Sequence, residues 1–67
     1  MSPKRLSRVI KTLRQEKGLS QKALAEQVGV TDAYITMLES GKRKNPSLDI
    51  LKKLAKALDV PVTELLE

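Results

Sequence analysis

The sequence has no cysteine, no histidine, no tryptophan and no phenylalanine, and only one tyrosine, Tyr34. Without cysteine there is neither a disulfide staple nor a thiol nucleophile, and a reducing compartment suits the chain. Without histidine, the commonest metal ligand and the commonest general base are missing together. The eight carboxylates are scattered, and none recurs at a metal-ligand spacing. There is no glycine-rich phosphate loop, and 67 residues leave little room for a sizeable pocket. These gaps argue against an enzyme, a metal site, a cofactor and a small-molecule ligand. A single aromatic residue also argues against RNA recognition by base stacking.

Long apolar runs are missing as well. None exceeds three residues (Ala23–Ala25 is one), against the roughly 20 needed to span a bilayer. The N-terminus is basic but lacks the apolar stretch of a signal peptide. No membrane partner is expected, and an intracellular location is the default reading.

What is present is positive charge and helical periodicity. Thirteen basic residues against eight acidic ones give a net charge of +5, a bias toward polyanions such as nucleic acid. The length fits one domain, residues 1–67, burying about 60% of the surface of its unfolded chain. Apolar residues recur with helical spacing, and no stretch alternates as a half-buried strand would. The fold class is therefore all-α, a compact five-helix bundle.

Start and stop signals divide the chain. The first helix is expected from about Pro3 to Lys17, with Ser2 as cap, an apolar stripe of Leu6, Val9, Ile10 and Leu13, and Gly18 as the stop. The second follows Ser20 and runs from Gln21 to about Val28, with Leu24, Ala25 and Val28 inward. The third is capped by Thr31 and runs from Asp32 to about Ser40, with Ile35 and Leu38 inward. Lys42-Arg43-Lys44-Asn45-Pro46 reads as a basic loop. Ser47 caps a fourth helix, from Leu48 to about Leu58, whose core stripe is Leu51, Leu54, Ala55 and Leu58. A short fifth can start at Pro61.

The second and third helices, about residues 20–40, carry the features of a helix-turn-helix. Ala25 is small where two helices must approach closely. Gly29 sits where a sharp turn calls for a positive φ. Ile35 and Leu38 pack the third helix back onto the second. A plain bundle with a glycine-containing loop would share this spacing. It would not account for the outer face of the third helix, where Asp32, Ala33, Thr36 and Met37, with Tyr34, replace the usual Lys and Glu pairs of a solvated helix. Compact side chains with donors, acceptors and methyl groups suit a surface that must fit closely into a groove.

The chain resembles the phage-repressor and Cro type of helix-turn-helix protein, the Xre-like family with the lambda-repressor-like DNA-binding fold. The residues that carry the resemblance are Leu19-Ser20-Gln21-Lys22-Ala23-Leu24-Ala25, Val28-Gly29-Val30, Tyr34-Ile35, Leu38-Glu39-Ser40-Gly41, Asn45-Pro46-Ser47-Leu48 and Leu54-Ala55-Lys56-Ala57-Leu58. The likeness runs from about Leu6 to Leu66.

The resemblance implies a bacterial or phage-type cytoplasmic regulator of transcription, a repressor or autoregulator, that binds double-stranded DNA with its third helix in the major groove. Asp32, Ala33, Thr36 and Met37 become the expected base contacts. Asp32 departs from the Gln common at this place, and it also suits the positive end of a helix dipole. Gln21, Thr31, Tyr34, Lys42, Arg43, Lys44, Asn45 and Ser47 become expected backbone contacts, although Lys42–Lys44 would also serve as a solvated loop. The resemblance pairs Arg14 with Glu39 as a structural contact. It also implies a homodimer on two half-sites, and residues 60–67, with Val60, Val62, Leu65 and Leu66, are the expected interface. Fraying of the last helix is the alternative there. An alternative function is an antitoxin-like subunit that meets another protein and also binds its own promoter.

Overall fold

The computed structural model describes residues 3–43 and 45–66, with the side chains of Pro3 and Lys4 left out. Among the described residues there are five helices and no strand: α1 (Pro3–Glu16), α2 (Gln21–Val28), α3 (Asp32–Ser40), α4 (Leu48–Leu58) and α5 (Thr63–Leu66). The cap expected of Ser2 lies outside the described residues.

Three helices begin in the same way. Ser20, Thr31 and Ser47 have extended backbones. Their hydroxyls accept hydrogen bonds from the amides of Ala23, Tyr34 and Ile50 at 3.0, 3.1 and 3.2 Å. Each bond satisfies one of the donors that a helix start leaves unpaired. At its other end α4 stops at Asp59, a non-glycine residue at φ 59° and ψ 44°. Asp tolerates this left-handed region better than most residues.

The core is aliphatic. Leu6 and Ile10 enter it from α1, Leu24, Ala25 and Val28 from α2, and Ile35 and Leu38 from α3. Leu51, Leu54, Ala55 and Leu58 come from α4 and Leu65 from α5. α2 packs on both α3 and α4, and α1 packs on α3 and α5. The buried face of α1 differs from the expected stripe. Leu6, Ser7 and Ile10 are buried, whereas Val9 and Leu13 are only half-buried. Ser7 faces the end of α3, where a Cβ built on Gly41 would lie 3.5 Å from its hydroxyl oxygen. A larger side chain than serine would hold the two helices apart.

α5 is shorter than a start at Pro61 would make it. The amides of Glu64 and Leu65 donate to the carbonyls of Pro61 and Val62 at 3.0 and 2.9 Å. These three-residue steps lead into the single turn of α5.

Gly29 makes the turn between α2 and α3. Its φ is 86°, and the amides of Gly29 and Val30 both donate to the Ala25 carbonyl, at 2.8 and 3.0 Å. A Cβ built there would meet nothing within 4 Å. Gly29→Ala is therefore expected to cost only the backbone strain of a left-handed alanine, about 1–2 kcal/mol. Urea denaturation followed by circular dichroism checks this. A neutral result would show that the turn can rearrange.

Candidate nucleic-acid interface

Two faces of α3 are separated by chemistry. Ile35 and Leu38 are buried, and Asp32, Ala33, Thr36 and Met37 are exposed. Met37, at 39% exposure, is one of the few large apolar side chains left open to solvent. The exposed face is thus compact and mostly uncharged, and α2 and the loop after α3 border it.

Asp32 is the first residue of α3, beside the positive end of the helix. Its Oδ1 accepts from the Ala33 amide at 2.9 Å. Thr31 precedes it as the cap, its hydroxyl oxygen accepting from the Tyr34 amide at 3.1 Å. Thr36 is fixed on two sides: its hydroxyl lies 2.9 Å from Gln21 Oε1 and 3.0 Å from the Asp32 carbonyl.

Basic charge is brought to the C-terminal edge of this face. Tyr34 is half-buried against the core, and the Arg43 guanidinium sits 5.3 Å from its ring centroid, within cation–π range. The Arg43 amide also donates to the Met37 carbonyl at 3.0 Å. Chain and side chain therefore both fold back toward α3. Lys42 and Asn45 are exposed on the same loop, while Lys44 lies outside the described residues. Ser47 is exposed at the start of α4 and caps it, its hydroxyl oxygen accepting from the Ile50 amide.

Beneath this face is a polar chain that ties three helices together. Arg14 Nε and Nη2 donate to the two oxygens of Glu39 at 2.6 and 3.0 Å. The third contact of Arg14 runs from Nη1 to the Leu19 carbonyl at 2.7 Å. Gln21 Nε2 then donates to Glu39 Oε1 at 3.2 Å. The ion-pair side chains are only 11% and 4% exposed. The hydrogen bond to Glu39 holds the Arg14 guanidinium above its usual value; burial pulls the other way and the Glu39 charge adds to the rise. Among the described residues, no buried side-chain polar atom is left without a partner.

Gln21 was expected only as a phosphate contact, and its place between Glu39 and Thr36 was not foreseen. The sequence held one signal for it. Thr36 and Glu39 are three apart on α3, so one residue from a neighbouring helix can reach both. The stacking of Arg43 on Tyr34 was likewise not foreseen.

The C-terminal segment calls for one correction. Leu65 was expected at an interface but is fully buried in this chain's own core, and so is unavailable to a partner. A single turn carries Leu65 and Leu66 on different sides, and only one of them closes the core against α1 and α4. Leu66 is 39% exposed, and Val60 and Val62 are half-buried. Leu48, at 54% exposure, adds an open apolar side chain that the sequence pattern did not single out.

A family model described as helix-turn-helix matches residues 10–65. The chain is 43% identical over 58 residues to the HTH-type transcriptional regulator SinR of Bacillus subtilis, covering 87% of this chain and 52% of SinR. It is 39% identical over 62 residues to the HTH-type transcriptional regulator SlrR of the same organism, covering 92% of this chain and 41% of SlrR. The chain thus spans about half, or less, of the length of these curated relatives. Among solved structures, the restriction-modification controller protein C.AhdI from Aeromonas hydrophila superposes with a TM-score of 0.88 at 40% identity, over 94% of both chains. SinR, solved in complex with DNA as the master regulator for biofilm formation, superposes with the same TM-score of 0.88 at 40% identity, over 92% of this chain and 98% of that one. With the turn at Gly29, the caps at Ser20 and Thr31 and the family match over most of its length, the chain belongs to the helix-turn-helix family.

Proposed function

We propose that this chain is a sequence-specific double-stranded DNA-binding protein that regulates transcription, with α3 in the major groove and α2 across the backbone above it. The observation that carries the reading is the close superposition of 92% of this chain on a relative solved with DNA. The compact exposed face of α3 fits this role. Asp32, Ala33, Thr36 and Met37 are the base contacts in this reading. Gln21, Thr31, Tyr34, Lys42, Arg43, Lys44, Asn45 and Ser47 are the backbone contacts.

One copy of α3 spans only a few base pairs. We infer a homodimer on two half-sites about 34 Å apart, one turn of the duplex. Val60, Val62 and Leu66 remain available for the contact between copies. The protein is read as a binder, with no reaction assigned to it. An intracellular location goes with that reading, and among the described residues no helix is long and apolar enough to cross a membrane.

The test is the salt dependence of binding to a labelled duplex, followed by fluorescence anisotropy. Each phosphate neutralised should add about −0.9 to the slope of log affinity against log salt. The basic loop and the Gln21 edge lead us to expect a steep fall. A flat curve would sink the reading.

A further inference from the structure

We propose that the Arg14–Glu39–Gln21 chain fixes the hydrogen-bond polarity of Thr36, so that α3 meets the bases with acceptors only and selects them by their exocyclic amino groups. The inference rests on the reading that α3 occupies the major groove.

The polarity is set one link at a time. A guanidinium can only donate, and Arg14 spans both oxygens of Glu39. A carboxylate so paired can only accept. Gln21 lies 3.2 Å from Glu39 Oε1, and an amide oxygen at that place would face another acceptor. Its nitrogen must therefore turn toward Glu39, which leaves Oε1 turned toward Thr36, 2.9 Å away. An amide oxygen accepts only. The other neighbour of the Thr36 hydroxyl is the Asp32 carbonyl at 3.0 Å, again an acceptor. The single hydroxyl proton points inward whichever of the two it serves. What Thr36 offers outward is a lone pair and its methyl group.

The rest of the exposed face agrees. Asp32 brings a carboxylate, already accepting from the Ala33 amide. Ala33 and Met37 bring no donor. No side chain among these four positions offers a donor to the groove. In the major groove of B-DNA the base donors are cytosine N4 and adenine N6, and thymine adds a methyl group. The guanine edge presents two acceptors, which this face repels. The chain ends usefully at Gln21, whose amide nitrogen keeps a second hydrogen for a phosphate oxygen.

Gln21 is thus a positioning residue for Thr36. The experiment begins by selecting bound duplexes from a random pool with the wild-type chain and with Thr36→Val. The base pair whose preference changes is the one Thr36 reads. At that pair, purine replaces adenine or pyrimidin-2-one replaces cytosine, deleting the amino group. In a second set, a 7-deazapurine deletes the N7 acceptor. For the wild type, loss of the amino group should weaken binding about 3- to 10-fold, the worth of one hydrogen bond, and loss of N7 should leave it within about 2-fold. Thr36→Val should abolish the amino penalty. Gln21→Leu leaves the Asp32 carbonyl as the one remaining inward acceptor, so the proton is held less firmly: the amino penalty should shrink and a smaller N7 penalty should emerge.

Gln21→Leu also loses a phosphate contact, but that weakens all duplexes alike and leaves the pattern of penalties readable. A thermal melt confirms that the variant is folded, and Gln21→Met takes its place if it is not. An N7 penalty larger than the amino penalty in the wild type overturns the proposal. So does an unchanged amino penalty in the folded Gln21 variant. If Thr36→Val alters the selected sequence nowhere, the failure lies instead with the placement of α3 in the groove.

Discussion

Arg14→Ala should destabilise the domain by on the order of 3–5 kcal/mol, the usual consequence of leaving one partner of a buried ion pair alone. A chain of this size has about 3–10 kcal/mol in total, so a large part of the population would be unfolded. The size of the effect follows from what Arg14 leaves behind. Glu39 is 4% exposed and would be left with only the Gln21 amide as a donor, at 3.2 Å. The Leu19 carbonyl would lose the guanidinium donor at 2.7 Å. Removing both charges together is a different matter. Arg14→Met with Glu39→Met replaces the pair by apolar side chains of similar reach and should recover part of the loss, because well-packed apolar replacements of buried pairs are often neutral, while the Leu19 carbonyl stays without its donor. Urea denaturation of Arg14→Met, Glu39→Met and the double variant measures the coupling. A cost for Arg14→Ala below about 1 kcal/mol would mean that the pair behaves as an exposed one.

The pH behaviour of this pair has a definite sign. Arg14 is raised above its usual value in the folded chain, first by the hydrogen bond to Glu39. A basic group raised on folding contributes its full share below its unfolded value and loses it only as the pH climbs past the folded one. For arginine that window is strongly alkaline. The Arg14 contribution should therefore stay constant through the neutral and mildly alkaline range.

Much of the fold was written locally and could be read locally. The caps at Ser20, Thr31 and Ser47 need only a hydroxyl three residues ahead of an amide. The turn at Gly29 needs only a residue at ease with positive φ. The inward faces of α2, α3 and α4 follow from apolar spacing over two or more turns. Reading failed where the deciding contact joins distant parts of the chain or where an element is too short for a period. Arg14 and Glu39 are 25 residues apart, and nothing in spacing joins them; only the resemblance to a family paired them. The role of Gln21 depends on how α1, α2 and α3 come together around Glu39. Ser7 is buried because α1 and the end of α3 approach closely, and a polar residue in an apolar stripe gives no hint of that. The surface of α3 was legible as residue types, while the hydrogen bonds of Thr36 that set what it offers were not.

Leu65 and Leu66 separate core from surface within one turn, and their variants should behave differently. Leu65→Ala removes a fully buried side chain from the place where α5 closes against α1 and α4. Loss of that burial, with the cavity left behind, should cost about 2–5 kcal/mol. For a domain of this length that lowers the melting temperature by about 10 °C or more. The loss should be the same at every protein concentration, because it arises inside one chain. Leu66→Ala starts from a side chain that is 39% exposed, and the stability of a single chain should change by less than about 0.5 kcal/mol. If two copies meet through Leu66, the substitution acts on their association instead. The melting temperature of the wild type would then rise with concentration, that of Leu66→Ala would not, and sedimentation would show the variant dissociating first. Equal, concentration-independent behaviour of wild type and Leu66→Ala would remove Leu66 from the contact between copies. A mild effect of Leu65→Ala would show that α5 is a frayed end that the core does not need.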